Sequence, residues 1–197
     1  MIIFMSDLLC VTNRKLCKID FLTRIEEIAM THPAGIILRE KDLSEEDYSC
    51  LAGEVLEICR LQDTPCILHS FYRTAIRLGC RSIHLPLPIL RTLSGDDKKA
   101  FDVIGASCHS REDALLAEQL GCTYISAGHI FDTDCKKGLP GRGISFLKDL
   151  CSSVSIPVYA IGGINPDNIS SIRNAGAAGA CIMSDFMTGK TTKRNYN

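Results

Sequence analysis

The chain contains 197 residues, 46% of them hydrophobic, and its 23 acidic side chains nearly cancel its 22 basic ones. A chain of this length and hydrophobic content can bury one core, and because no linker-like stretch interrupts it, we predict a single domain over residues 1–197. The charge balance argues against nucleic acid or an anionic membrane as a partner, so any binding of an anion must depend on local groups.

Short apolar runs alternate with amphipathic segments along the whole chain. The predicted strands are 8–12, 35–38, 65–69, 82–85, 102–106, 123–128, 157–161 and 179–183. The predicted helices between them are 20–31, 44–60, 73–78, 110–120, 144–151 and 166–175. The second helix begins with a capping box, Ser44-Glu-Glu-Asp47, and its apolar stripe consists of Leu51, Val55, Leu56 and Cys59.

About eight strand and helix units predict an α/β protein with a TIM-type (β/α)8 barrel, and a doubly wound open sheet is the alternative. Two places depart from the regular pattern. After residues 82–85 there is room only for a short helix with Pro88 in its first turn. After Met183 the sequence is a poor helix former, so we predict a truncated last helix and leave open a homodimer that covers the exposed apolar strip.

In such a barrel, ligands bind at the carboxyl ends of the strands. Gly162 and Gly163 end the seventh strand, and Ser184 follows the eighth, which predicts a pocket for a phosphomonoester or, without a ligand, a tight strand-to-helix turn. Arg39 and Lys41 follow the second strand on a shared side. They are predicted to contact an anionic substrate, against the alternative of a solvated charge cluster. Other residues after strands are Ser107, His109 and His69.

The loop from Gly128 to Leu139 concentrates a histidine, two acids and two lysines between two regular elements, which is typical of a loop with a chemical role. His129 is its histidine, and Lys136 and Lys137 add positive charge. Cys135 lies beside Lys136, where a thiolate could be favoured, although a cysteine without a role is the better interpretation.

The order and spacing of several segments resemble the TenI and thiamine phosphate synthase superfamily over nearly the whole chain. These segments are Leu38-Arg-Glu-Lys-Asp-Leu-Ser44, Ser107-x-His109, residues 128–138, Ile156-Pro-Val-Tyr-Ala-Ile-Gly-Gly-Ile164 and Met183-Ser184. The resemblance implies a TIM-type barrel that acts on thiazole phosphate. In synthases it also implies magnesium held by carboxylates and a diphosphate held by basic side chains.

Several positions differ from the synthase pattern. Ile37 stands where synthases have a glutamine, His69-Ser70 replaces an Asn-Asp pair, and the segment from His84 to Ile89 lacks the expected aspartate. Without these carboxylates we predict no metal and no cofactor, since magnesium needs hard oxygen ligands. Synthases usually have proline where His129 stands, so the resemblance favours the TenI branch and its thiazole tautomerases.

The leading prediction is therefore an isomerase that aromatises a carboxythiazole phosphate, with His129 as the catalytic group because an imidazole can accept and donate a proton near neutral pH. Arg39, Lys41, Ser107, Thr133 and Lys136 would bind the substrate. The alternatives are thiamine phosphate synthase and a non-catalytic, TenI-type regulatory or ligand-binding protein.

The 11 cysteines are odd in number, scattered and without a C-x-x-C pair, which argues against a disulfide framework and a zinc ribbon. The apolar N-terminus, Met1 to Asp7, has no basic leader or cleavage pattern and is too short to span a bilayer. We therefore expect a cytoplasmic protein with reduced thiols.

Overall fold

The computed structural model describes residues 7–133, 136 and 138–190. Its eight parallel strands follow each other in chain order and form a closed barrel, so the predicted TIM-type fold is confirmed. The strands are β1 (Leu8–Val11), β2 (Gly35–Leu38), β3 (Cys66–His69), β4 (Ser82–Pro86), β5 (Val103–Cys108), β6 (Tyr124–Gly128), β7 (Val158–Ile161) and β8 (Gly179–Ile182).

A short 3-10 helix, Arg14–Leu16, follows β1. The α-helices are α1 (Phe21–Ala29), α2 (Glu45–Leu61), α3 (Tyr72–Arg77), α4 (Leu87–Leu90), α5 (Gly95–Lys99), α6 (Arg111–Gln119), α7 (Gly143–Ser153), α8 (Ile169–Asn174) and α9 (Ser184–Met187). The sequence did not indicate α5, which is only five residues long and buries none of them, so it has no apolar period to detect.

The described residues fall into two compact units. The first contains residues 7–84, 100–102 and 182–190, and the second contains residues 85–99 and 103–181. The single domain expected for residues 1–197 stays a prediction.

Helix α2 supplies much of the core of the first unit. Ser44 caps it, since its hydroxyl accepts from the Asp47 N–H at 3.1 Å, as the capping box predicted. Its buried face consists of Tyr48, Ala52, Val55 and Cys59. The predicted stripe was correct for Val55 and Cys59, whereas Leu51 and Leu56 are only half-buried because the face is centred on Tyr48 and Ala52.

Tyr48 connects the carboxyl ends of two strands. Its buried hydroxyl donates to the carbonyl of Leu38, the last residue of β2, at 2.7 Å. The same oxygen accepts from the N–H of His69, the last residue of β3, at 2.8 Å. The backbone groups that follow on from Leu38 and His69 therefore start from positions fixed by one side chain of α2.

The second unit contains an aromatic pair beside a glycine. Tyr124 on β6 is paired in register with Gly105 on β5, and a Cβ at Gly105 would overlap the tyrosine ring. Tyr159 on β7 meets Tyr124 edge to face, with ring centroids 5.7 Å apart. Glycine at position 105 thus leaves the space that the ring of Tyr124 fills.

The last helix, α9, has four residues, of which Asp185, Phe186 and Met187 are buried, in agreement with the predicted truncation. It packs on the 3-10 helix of the first unit. Within the described residues, no helix has the length and apolar character that crossing a membrane requires. The homodimer stays a prediction.

Candidate functional site

Arg39 and Lys41 follow β2 in the first unit, where Arg39 is half-buried and Lys41 is exposed. The backbone N–H of Arg39 donates to the hydroxyl of Thr12, the residue after β1, at 2.9 Å. The Thr12 hydroxyl in turn donates to the carboxylate of Glu40 at 2.7 Å. This chain of hydrogen bonds fixes the backbone from which both basic side chains extend.

Glu40, between the two basic residues, is 2% exposed and does not belong to a solvated charge cluster. Its carboxylate accepts from Arg14 twice, from the backbone N–H at 3.0 Å and from Nη1 at 2.9 Å. Arg14 also forms a bidentate pair with Asp42, and Lys15 contacts the same carboxylate at 2.8 Å. Hydrogen bonds from Arg14 and then Lys15 hold the pKa of Asp42 well below its usual range. Glu40 and Asp42 are thus both engaged by basic residues that follow β1.

His69, the last residue of β3, stacks on His84, the middle residue of the neighbouring strand β4. They are paired in register between β3 and β4, and their ring centroids are 5.8 Å apart. Both side chains are buried. Burial, followed by His84, Lys41 and Arg39, lowers the pKa of His69 to about 2. Burial, with Lys41 and Arg39, lowers the pKa of His84 to about 3. Both imidazoles are therefore neutral at physiological pH.

This neutrality makes stability depend on pH. The folded-state pKa values lie below the ordinary value, so below about pH 6.5 the unfolded chain binds protons that the folded chain does not. The free energy of unfolding therefore decreases as the pH is lowered. Between pH 7.5 and 5.5 we expect a loss of about 1.4 kcal/mol for each imidazole. Urea unfolding at several pH values measures it, and His69→Asn should remove about half of the two-histidine contribution. An unchanged slope in this variant would contradict the assignment.

His129 follows β6 in the second unit and is 7% exposed. The next two N–H groups extend the pairing toward β7, since Ile130 donates to Ile161 at 2.9 Å and Phe131 donates to Gly162 at 3.1 Å. The His129 Nε2 donates to the carbonyl of Leu139 at 3.2 Å, so this nitrogen carries a proton. Nδ1 is buried and has no hydrogen-bond partner among the described residues. A buried nitrogen of this kind is a candidate contact for a ligand.

Gly162 and Gly163 follow β7 and have φ values of +100° and +65°. A Cβ at Gly162 would overlap the Cβ of His129 and lie 2.9 Å from its Cα. A Cβ at Gly163 would overlap the carbonyl oxygen of Asp132 and lie 2.8 Å from the Cβ of Phe131. Glycine is needed at both positions so that the loop after β6 can lie against the end of β7. The tight turn is therefore present, and the phosphate pocket stays a prediction.

The remaining predicted residues occupy different surroundings. Ser107 lies on β5, paired in register with Ser126, and is half-buried. His109 is exposed, and its Nδ1 donates to the carbonyl of Gly128 at 3.0 Å. Thr133 is half-buried and Lys136 is exposed, with the Lys136 N–H donating to the Thr133 carbonyl at 3.0 Å. Cys135 and Lys137 lie outside the described residues.

Ser184 belongs to the first unit, as the exposed first residue of α9, whereas the two glycines belong to the second. Sequence analysis missed the Thr12, Glu40 and Arg14 network and the Tyr48 bridge. Neither gives a periodic or motif signal, because each depends on hydrogen bonds between residues that are ten or more positions apart in the chain.

The carboxylates expected for magnesium in a synthase have no replacement at the corresponding positions. Ser70 in the first unit hydrogen bonds through Oγ to Nδ1 of His69 at 2.7 Å, and Ile89 in the second unit is apolar. In the part of the chain that the structure describes, no group of three or more His, Cys, Asp or Glu side chains could hold a metal ion. These residues do not fit a magnesium site of carboxylate ligands.

The chain is similar to thiamine-phosphate synthases along most of its length. The family model described as thiamine monophosphate synthase matches residues 8–186. Thiamine-phosphate synthase 2 of Streptococcus pneumoniae is 32% identical over 90% of this chain and 85% of its own length. Thiamine-phosphate synthase of Clostridium acetobutylicum is 33% identical over 93% and 88%. The structure of a thiamine phosphate pyrophosphorylase from Pyrococcus furiosus superposes with a TM-score of 0.80 at 25% identity, covering 96% and 92%.

These relatives change the functional interpretation. The expectation of an enzyme is supported, but the predicted thiazole tautomerase is wrong, because the relatives at about 30% identity are named as synthases. The prediction gave too much weight to His129 and to the missing carboxylates, and too little to the similarity over the whole chain. The TenI and thiamine phosphate synthase superfamily that the motifs indicated is confirmed, and the chain belongs to the thiamine monophosphate synthase family.

Proposed function

We propose that this chain is a thiamine-phosphate synthase, a transferase that joins a hydroxymethylpyrimidine diphosphate to thiazole phosphate and releases diphosphate. The similarity to named synthases, at 32–33% identity over 90–93% of the chain, carries this proposal. The coverage leaves no strand of the barrel outside the matched region, since residues 8–186 contain all eight. The substrates are small molecules, and their two anionic ends require two places where negative charge is held.

For the thiazole phosphate we propose contacts to Gly162 and Gly163 of the second unit. The two glycines have left-handed backbone conformations and no side chain, so a phosphate oxygen could approach their N–H groups closely. Phosphate sites in barrels of this type follow the last two strands, which in this chain are β7 and β8. Ser184 of the first unit, two residues after the end of β8, is proposed separately as a phosphate contact through its hydroxyl and N–H.

For the diphosphate we propose Arg39 and Lys41, because a guanidinium and an ammonium two residues apart can neutralise an extended anion. Ser107, Thr133 and Lys136 are proposed as further substrate contacts from β5 and the loop after β6. His129 is proposed to contact the heterocycle through its buried Nδ1, which has no other partner among the described residues. No step of the reaction is assigned to a bound magnesium ion, because the residues at the expected positions do not fit one.

We also propose that the protein acts in the cytoplasm. The ten cysteines of the described part are all free thiols, several of them buried together with raised pKa values. Burial raises the pKa of Cys181 to about 12. A raised pKa keeps a buried thiol protonated and unreactive, and free thiols in this number are typical of a reducing compartment.

The test is to incubate the purified chain with both synthase substrates, with and without magnesium, and to measure thiamine phosphate. We expect product, and Arg39→Ala should lower kcat/KM about a hundredfold, which corresponds to roughly 2.7 kcal/mol of transition-state stabilisation. Arg81→Ala is the matched control. Arg81 precedes β4, is exposed and forms a surface ion pair with Asp102, so the variant should retain the parent activity. Binding of thiazole phosphate without any product at high enzyme concentration would overturn the proposal.

A further inference from the structure

We propose that Arg39, Lys41 and the His69 imidazole form a site for a phosphate-type oxyanion that needs no divalent cation. This inference rests on the proposed function, because the oxyanion would be the diphosphate end of the second substrate. It goes beyond that function in one respect. At the position where the family resemblance implies magnesium and carboxylates, this chain has the His69 imidazole, hydrogen-bonded to Ser70 and stacked on His84, and Arg39 and Lys41 follow the neighbouring strand.

The register of the sheet brings these residues to one level. Leu38 on β2 is paired with Leu68 on β3, so the next residues, Arg39 and His69, follow at the same height. His69 is paired with His84 on β4. Residues at the same level on neighbouring strands direct their side chains to the same face, and Lys41 follows two residues after Arg39, in the turn beyond β2. The positive charges of Arg39 and Lys41 contribute to the lowered pKa values of both imidazoles, which is consistent with this arrangement.

The His69 ring is held in one orientation. Ser70 Oγ lies 2.7 Å from Nδ1, so a hydroxyl that donates to this nitrogen leaves the proton of the neutral ring on Nε2. The backbone N–H of His69 donates to Tyr48, and His84 stacks on the ring. An Nε2–H held in this way is a preorganised hydrogen-bond donor for an anionic oxygen. The ring is neutral, so it offers no negative charge to attract a metal ion.

The charges around the site favour an anion over a cation. Glu40 and Asp42 are the carboxylates nearest in sequence to Arg39 and Lys41, and both are engaged by Arg14, with Lys15 also on Asp42. Neither can turn to a metal ion without breaking these ion pairs. A divalent cation would therefore meet two positive side chains and neutral rings, whereas a phosphate-type dianion would meet two cations and a donor.

Ser70 offers a direct way to change the site. Its φ is +66°, a conformation that aspartate tolerates better than most residues. Ser70→Asp would restore a carboxylate at the position where the resemblance implies one and would remove the hydroxyl that orients His69. This variant should convert a metal-independent oxyanion site into one that requires a divalent cation.

Calorimetric titration with inorganic pyrophosphate tests the proposal without turnover. In EDTA and in magnesium, the parent protein should bind with affinities that agree within about threefold, a difference below 1 kcal/mol. His69→Asn and Arg39→Ala should each weaken binding in EDTA about tenfold or more, and Arg81→Ala should not change it. Ser70→Asp should bind weakly in EDTA and recover about tenfold on addition of magnesium.

Two results would overturn the site: pyrophosphate binding by the parent only when magnesium is present, or binding in EDTA that is unaffected by both His69→Asn and Arg39→Ala. Circular dichroism of each variant shows whether it is folded, and Arg39→Ala, whose side chain is only half-buried, keeps the test valid if His69→Asn fails to fold. The failure of the proposed function looks different. If the protein binds pyrophosphate in EDTA but forms no thiamine phosphate, the oxyanion site stands and the proposed synthase function is wrong. If it forms thiamine phosphate but binds pyrophosphate only with magnesium, the synthase function stands and the metal-independent site is wrong.

Discussion

Replacing Gly162 with alanine should destabilise the protein by roughly 3–5 kcal/mol, the sum of backbone strain and overpacking. Gly162 has a φ of +100°, which an alanine adopts only at a cost. The new Cβ would also overlap the Cβ of His129 and lie 2.9 Å from its Cα, and neither atom can move without shifting the backbone after β6. Urea unfolding at pH 7.5 measures the loss.

The control for this substitution is Gly53→Ala. Gly53 lies within α2 and nothing lies within 4 Å of a Cβ placed there, so alanine should raise stability by about 0.5–1 kcal/mol. The same chemical change therefore has opposite signs at the two sites. If Gly162→Ala unfolded within 1 kcal/mol of the parent, the contact between the end of β7 and His129 would not be as close as described.

Replacing Glu40 with alanine should cost about 3 kcal/mol, because it removes the acceptor of the buried Thr12 hydroxyl and of two N–H groups of Arg14, whose guanidinium keeps only its pair with Asp42 among the described residues. The carboxylate of Glu40 accepts from Thr12 and twice from Arg14, and Thr12 also holds the N–H of Arg39. The variant should therefore also weaken the binding of pyrophosphate, because the network that holds the backbone of Arg39 is lost. Thermal and chemical unfolding give the first effect and calorimetry gives the second.

Glu57→Ala is the matched control for Glu40→Ala. Glu57 pairs with Arg60 at 2.7 Å on the surface of α2, where both side chains are more than half exposed. Removing an exposed carboxylate of this kind should change stability by about 0.5 kcal/mol or less. Equal effects of the two substitutions would mean that the network around Glu40 contributes no more than a surface ion pair does.

The barrel could be predicted from the sequence because each strand is a short apolar run between amphipathic segments. β2 lies at the predicted residues, and β4 differs by one residue at its end. The buried face of α2 was predicted only in part. Tyr48 was not part of the predicted stripe, yet it is buried, because its polar hydroxyl forms hydrogen bonds with two backbone groups at the ends of strands.

The candidate site was less accessible to sequence reasoning. Arg39 and Lys41 could be selected because they follow a strand, but the role of Glu40 between them depends on Thr12 and Arg14, which lie 28 and 26 residues away. The stacking of His69 on His84 likewise follows from the register of β3 and β4, which no local pattern specifies. The choice between tautomerase and synthase was wrong because a few substituted positions were weighed more heavily than the similarity of the rest of the chain.

The two hydrogen bonds of Tyr48 link the position of α2 to the ends of β2 and β3. One oxygen atom belonging to a helix fixes the last carbonyl of β2 and the last N–H of β3. Any displacement of that helix therefore carries the two strand ends along together, and the spacing between Arg39 and His69 is preserved. Substitutions on the outer surface of α2 can therefore shift Arg39 and His69 together. A change that separates the two residues has to break the hydrogen bonds of the Tyr48 hydroxyl.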